Sequence, residues 1–248
     1  MPAALPNRIP HSGANESTDP RQRLIVALDV STAAAAHKIV SAVGESALSY
    51  KVGMQLYTAE GPQVVRDLVA SGRRVFLDLK YHDIPNTVGH AVREAAQLGV
   101  SMLSVHAAGG GRMLQAAVDA ARDRSGLMVL AVTVLTSMDE HDLERIGVRG
   151  TVVDSVIRLA TIALANGCHG VITSAREAST LRADLGDDFA IVTPGVRPAG
   201  SSAHDQIRIV TPSEAIASGA SHIVVGRPIT EAADPAAEVR AVLGQISG

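Results

Sequence analysis

Residues 73–98, with the sequence RRVFLDLKYHDIPNTVGHAVREAAQL, contain one complete strand–loop–helix unit. The apolar run Arg73–Leu79 predicts a buried strand, and the Ala-rich amphipathic stretch Asn86–Leu98 predicts a helix. Pro85, between them, is typical of the first turn of a helix. A strand, a polar loop and a helix in this order form the repeating unit of a parallel α/β fold.

The same unit recurs along the chain from Leu24 onward. The predicted strands are Leu24–Val30, Leu48–Gly53, Arg73–Leu79, Ser101–His106, Leu127–Thr133, His169–Thr173, Phe189–Val196 and Ser221–Gly226. The predicted helices are Thr32–Val43, Ala59–Ala70, Asn86–Leu98, Gly111–Ala121, Thr151–Ala165, Ala175–Leu185, Pro212–Ser218 and Pro235–Leu243. Eight units without a composition break predict a single (β/α)8 TIM barrel. The alternative is a doubly wound sheet, but no Gly-x-Gly-x-x-Gly turn follows Asp29.

Composition restricts the class of protein further. Apolar residues make up 46% of the 248 residues, enough for a large core, and the net charge of −3 shows no basic bias toward nucleic acid. Cys168 is the single cysteine, so we expect a buried thiol and no intrachain disulfide. Residues 1–21 lack an apolar signal-peptide core and read as a flexible extension before a barrel domain of residues 22–248. No apolar run could span a membrane, and a cytoplasmic location is expected.

Each predicted strand finishes on polar residues or glycines. In a parallel barrel all strand ends of this kind meet on one rim, where barrel enzymes hold their active sites. A polar residue at one strand end is often a helix cap, which remains an equal alternative for Thr133, Thr173 and Ser174. Charged residues at so many ends favour a ligand site. They include Asp29, Lys51, Asp78, Lys80, Arg197 and Arg227.

Asp78 and Lys80 are two residues apart in a strand, so their side chains should share one face, toward the barrel mouth. Leu77 and Leu79 then face the helices. Lys51 ends the neighbouring strand and Asp83 follows Lys80, so these four charges could form an alternating array with Asp78 and Lys80 at its centre. The alternative is a self-satisfied salt-bridge network, although buried ion pairs add little stability compared with apolar packing.

The segment Asp78-x-Lys80-x-x-Asp83-Ile84-Pro85-Asn86-Thr87 resembles the signature of the orotidine 5′-monophosphate decarboxylase family. The resemblance extends from about Leu24 to the last helix. It includes the segments Ala27-Leu28-Asp29, Tyr50-Lys51-Val52-Gly53, Val134-Leu135-Thr136-Ser137, Thr193-Pro194-Gly195-Val196-Arg197-Pro198, Asp205-Gln206 and Val225-Gly226-Arg227-Pro228-Ile229-Thr230. It implies a cofactor-free carboxy-lyase that converts orotidine 5′-monophosphate to uridine 5′-monophosphate and carbon dioxide, with no metal.

The resemblance also implies roles for individual residues. Lys80 would donate the proton, with Asp78 beside it, while Asp29 and Lys51 would bind the ribose hydroxyls. Thr136, with Ser137 as a weaker candidate, would contact the pyrimidine. Pro194 and Val196 would line an apolar pocket near the leaving carboxylate. The 5′-phosphate would be held by Arg197, Gln206, Gly226 and Arg227. The partner subunit of a homodimer would contribute Asp83, Ile84 and Thr87.

The residues support a phosphate site without the resemblance. Barrels commonly bind phosphate between the loop after the seventh strand and a short helix after the eighth. Arg197 and Arg227 supply charge there, Gly226 lets backbone N–H groups approach an anion, and Pro228 can begin the helix. The small residues 199–203 predict a lid over the phosphate, with an ordinary surface loop as the alternative.

Other interpretations remain open. His106 could be a metal ligand or a base, but a supporting role is favoured because Lys80 can transfer the proton; His82 and His169 are expected to be solvated or structural. The whole chain could instead be a metal-dependent sugar-phosphate decarboxylase or aldolase of the same superfamily. A Schiff-base aldolase using Lys80 or Lys51 and a non-catalytic nucleotide-binding barrel are the remaining alternatives.

Overall fold

Eight parallel strands close into a barrel in which each strand pairs with its sequence neighbours and the eighth pairs with the first. The structure, a computed structural model, describes residues 19–122, 124, 126–198 and 210–247. The strands are β1 (Leu24–Ala27), β2 (Ser49–Gly53), β3 (Arg74–Tyr81), β4 (Met102–His106), β5 (Met128–Val132), β6 (Gly170–Ile172), β7 (Ala190–Thr193) and β8 (His222–Val225). The predicted (β/α)8 barrel is confirmed.

Helices follow the strands and cover the outside of the barrel. Within the described residues they are α1 (Ala33–Val43), α2 (Met54–Glu60), α3 (Gln63–Ala70), α4 (Pro85–Gln97), α5 (Gly110–Ala121), α6 (Glu140–Arg145), α7 (Val152–Ala165), α8 (Ala175–Leu185), α9 (Pro212–Ala217), α10 (Arg227–Thr230) and α11 (Pro235–Ile246). Their starts have local causes. Thr151 and Asp154 form a capping box at α7, and Pro85 is the first residue of α4.

The predicted helix Ala59–Ala70 is wrong at its start. Two helices, α2 and α3, occupy this region, and Gly61 and Pro62 separate them. Gly61 has φ +66, a conformation that ends α2 and favours glycine. Helix α6 was not predicted, although Asp139 and Asp142 give it a capping box.

Side chains of the strands pack in two layers, as alternation requires. Inside the barrel, Ile25, Phe76, Leu130 and their neighbours form one apolar cluster. Between the barrel and the helices lies a larger cluster that contains Leu77, with Leu79 packed against it. The expectation that Leu77 and Leu79 face the helices is confirmed, so the intervening residues of β3 face the barrel interior.

Expectations made for other parts of the chain have the following outcomes. Cys168 is a free, buried cysteine, and burial raises the pKa of its thiol to about 12. His169 is structural, because its Nδ1 accepts the backbone N–H of Val129. The extension of residues 1–21 stays a prediction: residues 1–18 lie outside the described part, and Pro20–Gln22 form a single 3-10 turn. None of the described helices has the length and hydropathy to cross a membrane.

Candidate active site at the carboxyl end of the barrel

A cavity of about 530 Å³ opens among the loops that follow the strands, a volume typical of small-molecule sites. Most of the predicted site residues line it. These are Asp29, Lys51, Asp78, Lys80, Thr136, Pro194, Val196, Arg197, Gly226 and Arg227. Residues from β1, β2, β3, β7 and β8 or the loops after them therefore meet around one space, as the convergence of the strand ends predicted.

One wall of the cavity carries a chain of four alternating charges. Lys80 Nζ lies 2.9 Å from both carboxylate oxygens of Asp78. Lys51 Nζ lies 2.7 Å from Asp29 Oδ1 and 3.8 Å from Asp78 Oδ2, so it connects the two carboxylates. The side chains of Lys51 and Asp78 are only 12% and 11% exposed. Water therefore screens the central charges weakly, and a ligand in the cavity would feel their field.

The second carboxylate within this chain is Asp29, which contacts Lys51, whereas the predicted array had Asp83 at the other end, next to Lys80. Strand β3 continues to Tyr81, two residues beyond its predicted end, and the chain then turns into α4. Asp83 is exposed, and its carboxylate accepts the backbone N–H of Ile84 at 2.6 Å. Within the described residues, Asp83, Ile84 and Thr87 do not line the cavity of their own chain. The role predicted for them at a partner's site is not tested by one chain.

Lys80 has an unusual backbone conformation. Among the described residues it is the one non-glycine residue with positive φ, at 51°. The pairing between β3 and β4 changes register here: Leu77 pairs with Leu103 but Tyr81 pairs with Val105, so β3 contains two extra residues. Left-handed backbone is costly for a residue with a Cβ, and such residues cluster at functional sites.

Ser104 was missed by the sequence analysis. It is fully buried in β4, its Oγ donates to Asp78 Oδ1 at 2.8 Å, and it accepts the backbone N–H of Lys80 at 2.8 Å. A polar residue inside an otherwise apolar strand was the available signal. Gln55 and Glu231 also line the cavity and were not predicted. Gln55 lies in α2, whose start was misplaced.

Gly53 leaves room for the shortest ion pair of the charge chain, the contact between Lys51 Nζ and Asp29 Oδ1. A Cβ at this position would lie 3.0 Å from Lys51 Nζ and 3.2 Å from Asp29 Oδ1, so both side chains would have to shift by a few tenths of an ångström. Its φ of −95° is accessible to any residue, and the requirement for glycine here is therefore spatial. Glycine at the end of β2 keeps the Asp29–Lys51 pair at 2.7 Å.

A further part of the cavity lining comes from the ends of β7 and β8. Arg197 is 5% exposed, and Arg227 begins the short helix α10 directly after Gly226. The backbone N–H of Arg197 donates to Val210 O at 3.0 Å. A parallel bridge also joins Val196 to Val210, so the described residues on the two sides of segment 199–209 lie close together. The predicted lid at residues 199–203 and the predicted phosphate ligand Gln206 lie in this segment, outside the described residues.

Thr136 contributes to the cavity from the loop between β5 and α6, whereas Ser137 is exposed. Thr136 therefore has the placement expected of the stronger candidate for contact with the pyrimidine. Thr173 and Thr133 are buried and do not line the cavity, and Ser174 caps α8 through the N–H of Arg176. The capping alternative therefore holds for Ser174, and the side chain of Thr133 donates to Ile172 O.

His106 does not line the cavity, and the supporting role favoured for it stays a prediction. Its ring stacks on His82 with centroids 5.1 Å apart, and its Nδ1 accepts the N–H of Ala108. Burial, followed by the nearby charges of His82 and Lys80, lowers the pKa of His106. Within the ranges that the structure describes, no group of three or more His, Cys, Asp or Glu side chains could hold a metal ion.

Comparisons with known proteins agree with this arrangement. A model of the orotidine 5′-phosphate decarboxylase / HUMPS family matches residues 22–242. A protein of Hydrogenovibrio crunogenus named orotidine 5′-phosphate decarboxylase is 46% identical over 235 residues, which cover 93% of this chain and 100% of the relative. Its namesake in Halorhodospira halophila is 50% identical over 226 residues, covering 91% and 96%.

Two solved structures have the same fold over nearly the whole chain. Orotidine 5′-phosphate decarboxylase from Lactobacillus acidophilus gives a TM-score of 0.82 at 39% identity, with 91% of this chain and 99% of that one covered. A conserved protein from Geobacillus kaustophilus, titled uncharacterized, gives 0.80 at 37% identity, with 90% and 99% covered. With a family model that matches most of its length and relatives at these identities, the chain belongs to the orotidine 5′-phosphate decarboxylase / HUMPS family.

Proposed function

We propose that this protein is a carboxy-lyase that converts orotidine 5′-monophosphate to uridine 5′-monophosphate and carbon dioxide, the last step of de novo pyrimidine nucleotide synthesis. One observation carries the proposal: the Lys80–Asp78 pair lines the same nucleotide-sized cavity as Arg197 and Arg227. The relatives described above bear the name of this activity over nearly the whole length of the chain.

The substrate offers a different chemical group to each wall. Its dianionic phosphate fits the guanidinium groups of Arg197 and Arg227 beside Gly226, because such groups bind phosphate with paired, charge-assisted hydrogen bonds. Its ribose hydroxyls fit the Asp29–Lys51 pair, which can accept and donate. The pyrimidine then lies toward Thr136, and Pro194 and Val196 form the apolar surface beside the departing carboxylate. Gln206 is proposed as a further phosphate ligand.

The reaction at C6 of the pyrimidine determines how far the site must lower the activation barrier. The bond between C6 and the carboxylate carbon breaks, its electron pair stays on C6, and carbon dioxide leaves. The charge on C6 cannot spread into a carbonyl group, so the barrier must fall by about 20 kcal/mol, near the upper end of enzymatic rate enhancement. A positioned general acid supplies roughly 10²–10⁴-fold, equivalent to about 3–5 kcal/mol. Electrostatic stabilisation of the carbanion therefore has to supply much of the rest.

Lys80 is the group suited to both tasks. Its ammonium, fixed by two contacts to Asp78, can stabilise negative charge on C6 and then transfer a proton to that carbon. The lysine is left as a neutral amine and regains its proton from solvent after product release. Binding energy from the remote phosphate favours this arrangement without touching the reacting bond.

The proposal includes an oligomeric state and a cellular location. The protein works as a homodimer in which Asp83, Ile84 and Thr87 complete the partner's site; the exposure of Asp83, and of 66% of Ile84, leaves these side chains available for such contacts. It acts in the cytoplasm, because a nucleotide with a phosphate and a carboxylate does not cross a membrane unaided.

The function is tested by incubating the purified protein with orotidine 5′-monophosphate labelled in its carboxylate, with and without EDTA. Labelled carbon dioxide should appear together with an equal amount of uridine 5′-monophosphate, at the same rate in both conditions. Loss of turnover in EDTA would show that the decarboxylation needs a metal ion and would contradict the proposed metal-free reaction. Absence of labelled carbon dioxide would refute the decarboxylase.

A further inference from the structure

Ser104 contacts Asp78 and Lys80 of the charge chain but does not line the cavity. It is the middle residue of β4, and its side chain faces the barrel interior, since Met102, two residues earlier, belongs to the inner apolar cluster. Its exposed fraction is 0%. A buried hydroxyl is costly unless its hydrogen-bonding capacity is used, so its partners indicate what it does.

The directions of its two hydrogen bonds are fixed by chemistry. The backbone N–H of Lys80 can only donate, so Ser104 Oγ accepts from it at 2.8 Å. An ionised carboxylate can only accept, so the single hydroxyl proton points to Asp78 Oδ1, also at 2.8 Å. One hydroxyl therefore joins the backbone of the lysine to the carboxylate that holds its ammonium. The ring closes through the contacts of Lys80 Nζ with Asp78.

This bridge replaces a regular strand contact. Where β3 carries its two extra residues, the regular pairing with β4 stops after Leu77 and resumes at Tyr81. The N–H of Lys80 falls in this gap, at the residue with φ 51°. Ser104 satisfies that N–H and stabilises a backbone conformation that lysine otherwise rarely adopts.

We propose that Ser104 is a positioning residue, which aims the Lys80 ammonium at the reacting carbon by fixing both its backbone and its carboxylate partner. The proposal rests on the proposed function for its catalytic consequence. Ser104 touches no substrate, so its loss should change kcat and leave binding of uridine 5′-monophosphate nearly unchanged.

Two substitutions separate the hydrogen bonds from the volume. Ser104→Ala removes the hydroxyl, whereas Ser104→Cys fills nearly the same volume with a weakly hydrogen-bonding thiol. Both should lower kcat by about 10- to 100-fold, the scale of an ångström-sized misplacement of a reacting group. The dissociation constant of uridine 5′-monophosphate should change by less than about threefold in each. Ser49→Ala is the matched control, because Ser49 is a buried serine on β2 without a role in the site.

A readout independent of activity is amide hydrogen exchange at Lys80, followed by NMR. The Lys80 N–H should exchange faster in both Ser104 variants and at the wild-type rate in Ser49→Ala. The proposal is overturned if kcat of Ser104→Cys lies within about twofold of the wild-type value, or if the rate of amide hydrogen exchange at Lys80 is unchanged. If the wild-type protein itself releases no carbon dioxide, the proposed function fails, and the exchange measurement still decides whether Ser104 fixes Lys80.

Discussion

Lys80 Nζ lies 2.9 Å from each carboxylate oxygen of Asp78, and both residues come from the last part of β3. A regular strand would place them on one face, and the positive φ of Lys80 shows that the backbone departs from regular strand geometry at this residue. The lysine is only 27% exposed and the aspartate 11%, so water competes weakly for either charge. Because an isolated buried ion pair adds little stability, this arrangement supports the proposed role of the pair in acting on the substrate.

Arg227→Ala should weaken binding of the phosphate and leave the chemistry at C6 intact. Loss of a charge-assisted hydrogen bond corresponds to about a 10- to 100-fold fall in kcat/KM. Added phosphite or guanidinium should restore part of the lost activity, since the missing interaction is remote from the reacting bond. Steady-state kinetics with Arg240→Ala, an exposed arginine of α11, provide the control. Unchanged kcat/KM in Arg227→Ala would place the phosphate elsewhere.

Lys80→Ala and Asp83→Ala should complement each other if Asp83 acts in the partner's site. Each homodimer has two damaged sites, but a mixed dimer with two-fold symmetry has one site with both lesions and one with neither. Co-refolding equal amounts should restore about a quarter of wild-type activity, because about half of the dimers are mixed.

The matched control for complementation is co-refolding of Lys80→Ala with Asp78→Ala. These two residues contact each other within one chain, so every site of a mixed dimer stays damaged and no activity should return. If sedimentation detects mixed dimers of Lys80→Ala and Asp83→Ala without activity above the separate variants, the shared site is wrong.

Gly53→Ala should disturb the charge chain without unfolding the barrel. The new methyl group would crowd Lys51 Nζ and Asp29 Oδ1, so we expect a fall in kcat/KM of about tenfold while the free energy of unfolding changes by about 1 kcal/mol or less. Gly244→Ala, in α11 with nothing near the added methyl, should keep wild-type kinetics and gain up to about 1 kcal/mol of stability. Equal kinetics for both variants would remove the role assigned to Gly53.

His222 should make the folded state sensitive to acid. Burial lowers its pKa from 6.5 to about 4, with smaller contributions from the charges of Arg74 and Arg23. Between these values the unfolded chain binds a proton that the folded chain does not, so stability falls as the pH falls from about 6.5 to about 4 and levels off below. The loss from pH 7 to pH 5 should be about 2 kcal/mol.

Urea unfolding of wild type and His222→Leu at both pH values measures this contribution. The variant should lose about 2 kcal/mol less than wild type over the interval, whatever its stability at pH 7. Identical pH dependence in the two proteins would show that His222 is not the responsible group.

The barrel and most of the site could be predicted because both depend on local pattern. Alternation along β3 correctly placed Asp78 and Lys80 on one side and Leu77 and Leu79 on the other. The charge of Lys51 on β2, the strand next to β3, correctly indicated contact with Asp78. Parallel strands in sequential order bring these ends to one rim, so sequence position translated into proximity.

Features that depend on departures from regular geometry were not predictable in the same way. A regular strand gives no reason for positive φ at Lys80 or for the two extra residues of β3, and Ser104 is the partner of that irregularity. The direction of Asp83 depends on where β3 ends, which pattern located two residues too early. The side chains that crowd Gly53 come from β2 and from the residues that follow β1, so the crowding can be recognised only in the assembled barrel.

The most direct test of the account is turnover of carboxylate-labelled orotidine 5′-monophosphate in heavy water, by wild type and by Lys80→Ala. Wild type should release one labelled carbon dioxide for each uridine 5′-monophosphate formed, with deuterium at C6 of the product detected by NMR. Lys80→Ala should bind uridine 5′-monophosphate but lose more than about 10⁴-fold in turnover, because it lacks both the general acid and the charge beside C6. Turnover of Lys80→Ala within about tenfold of wild type, or product without deuterium at C6, would contradict the account.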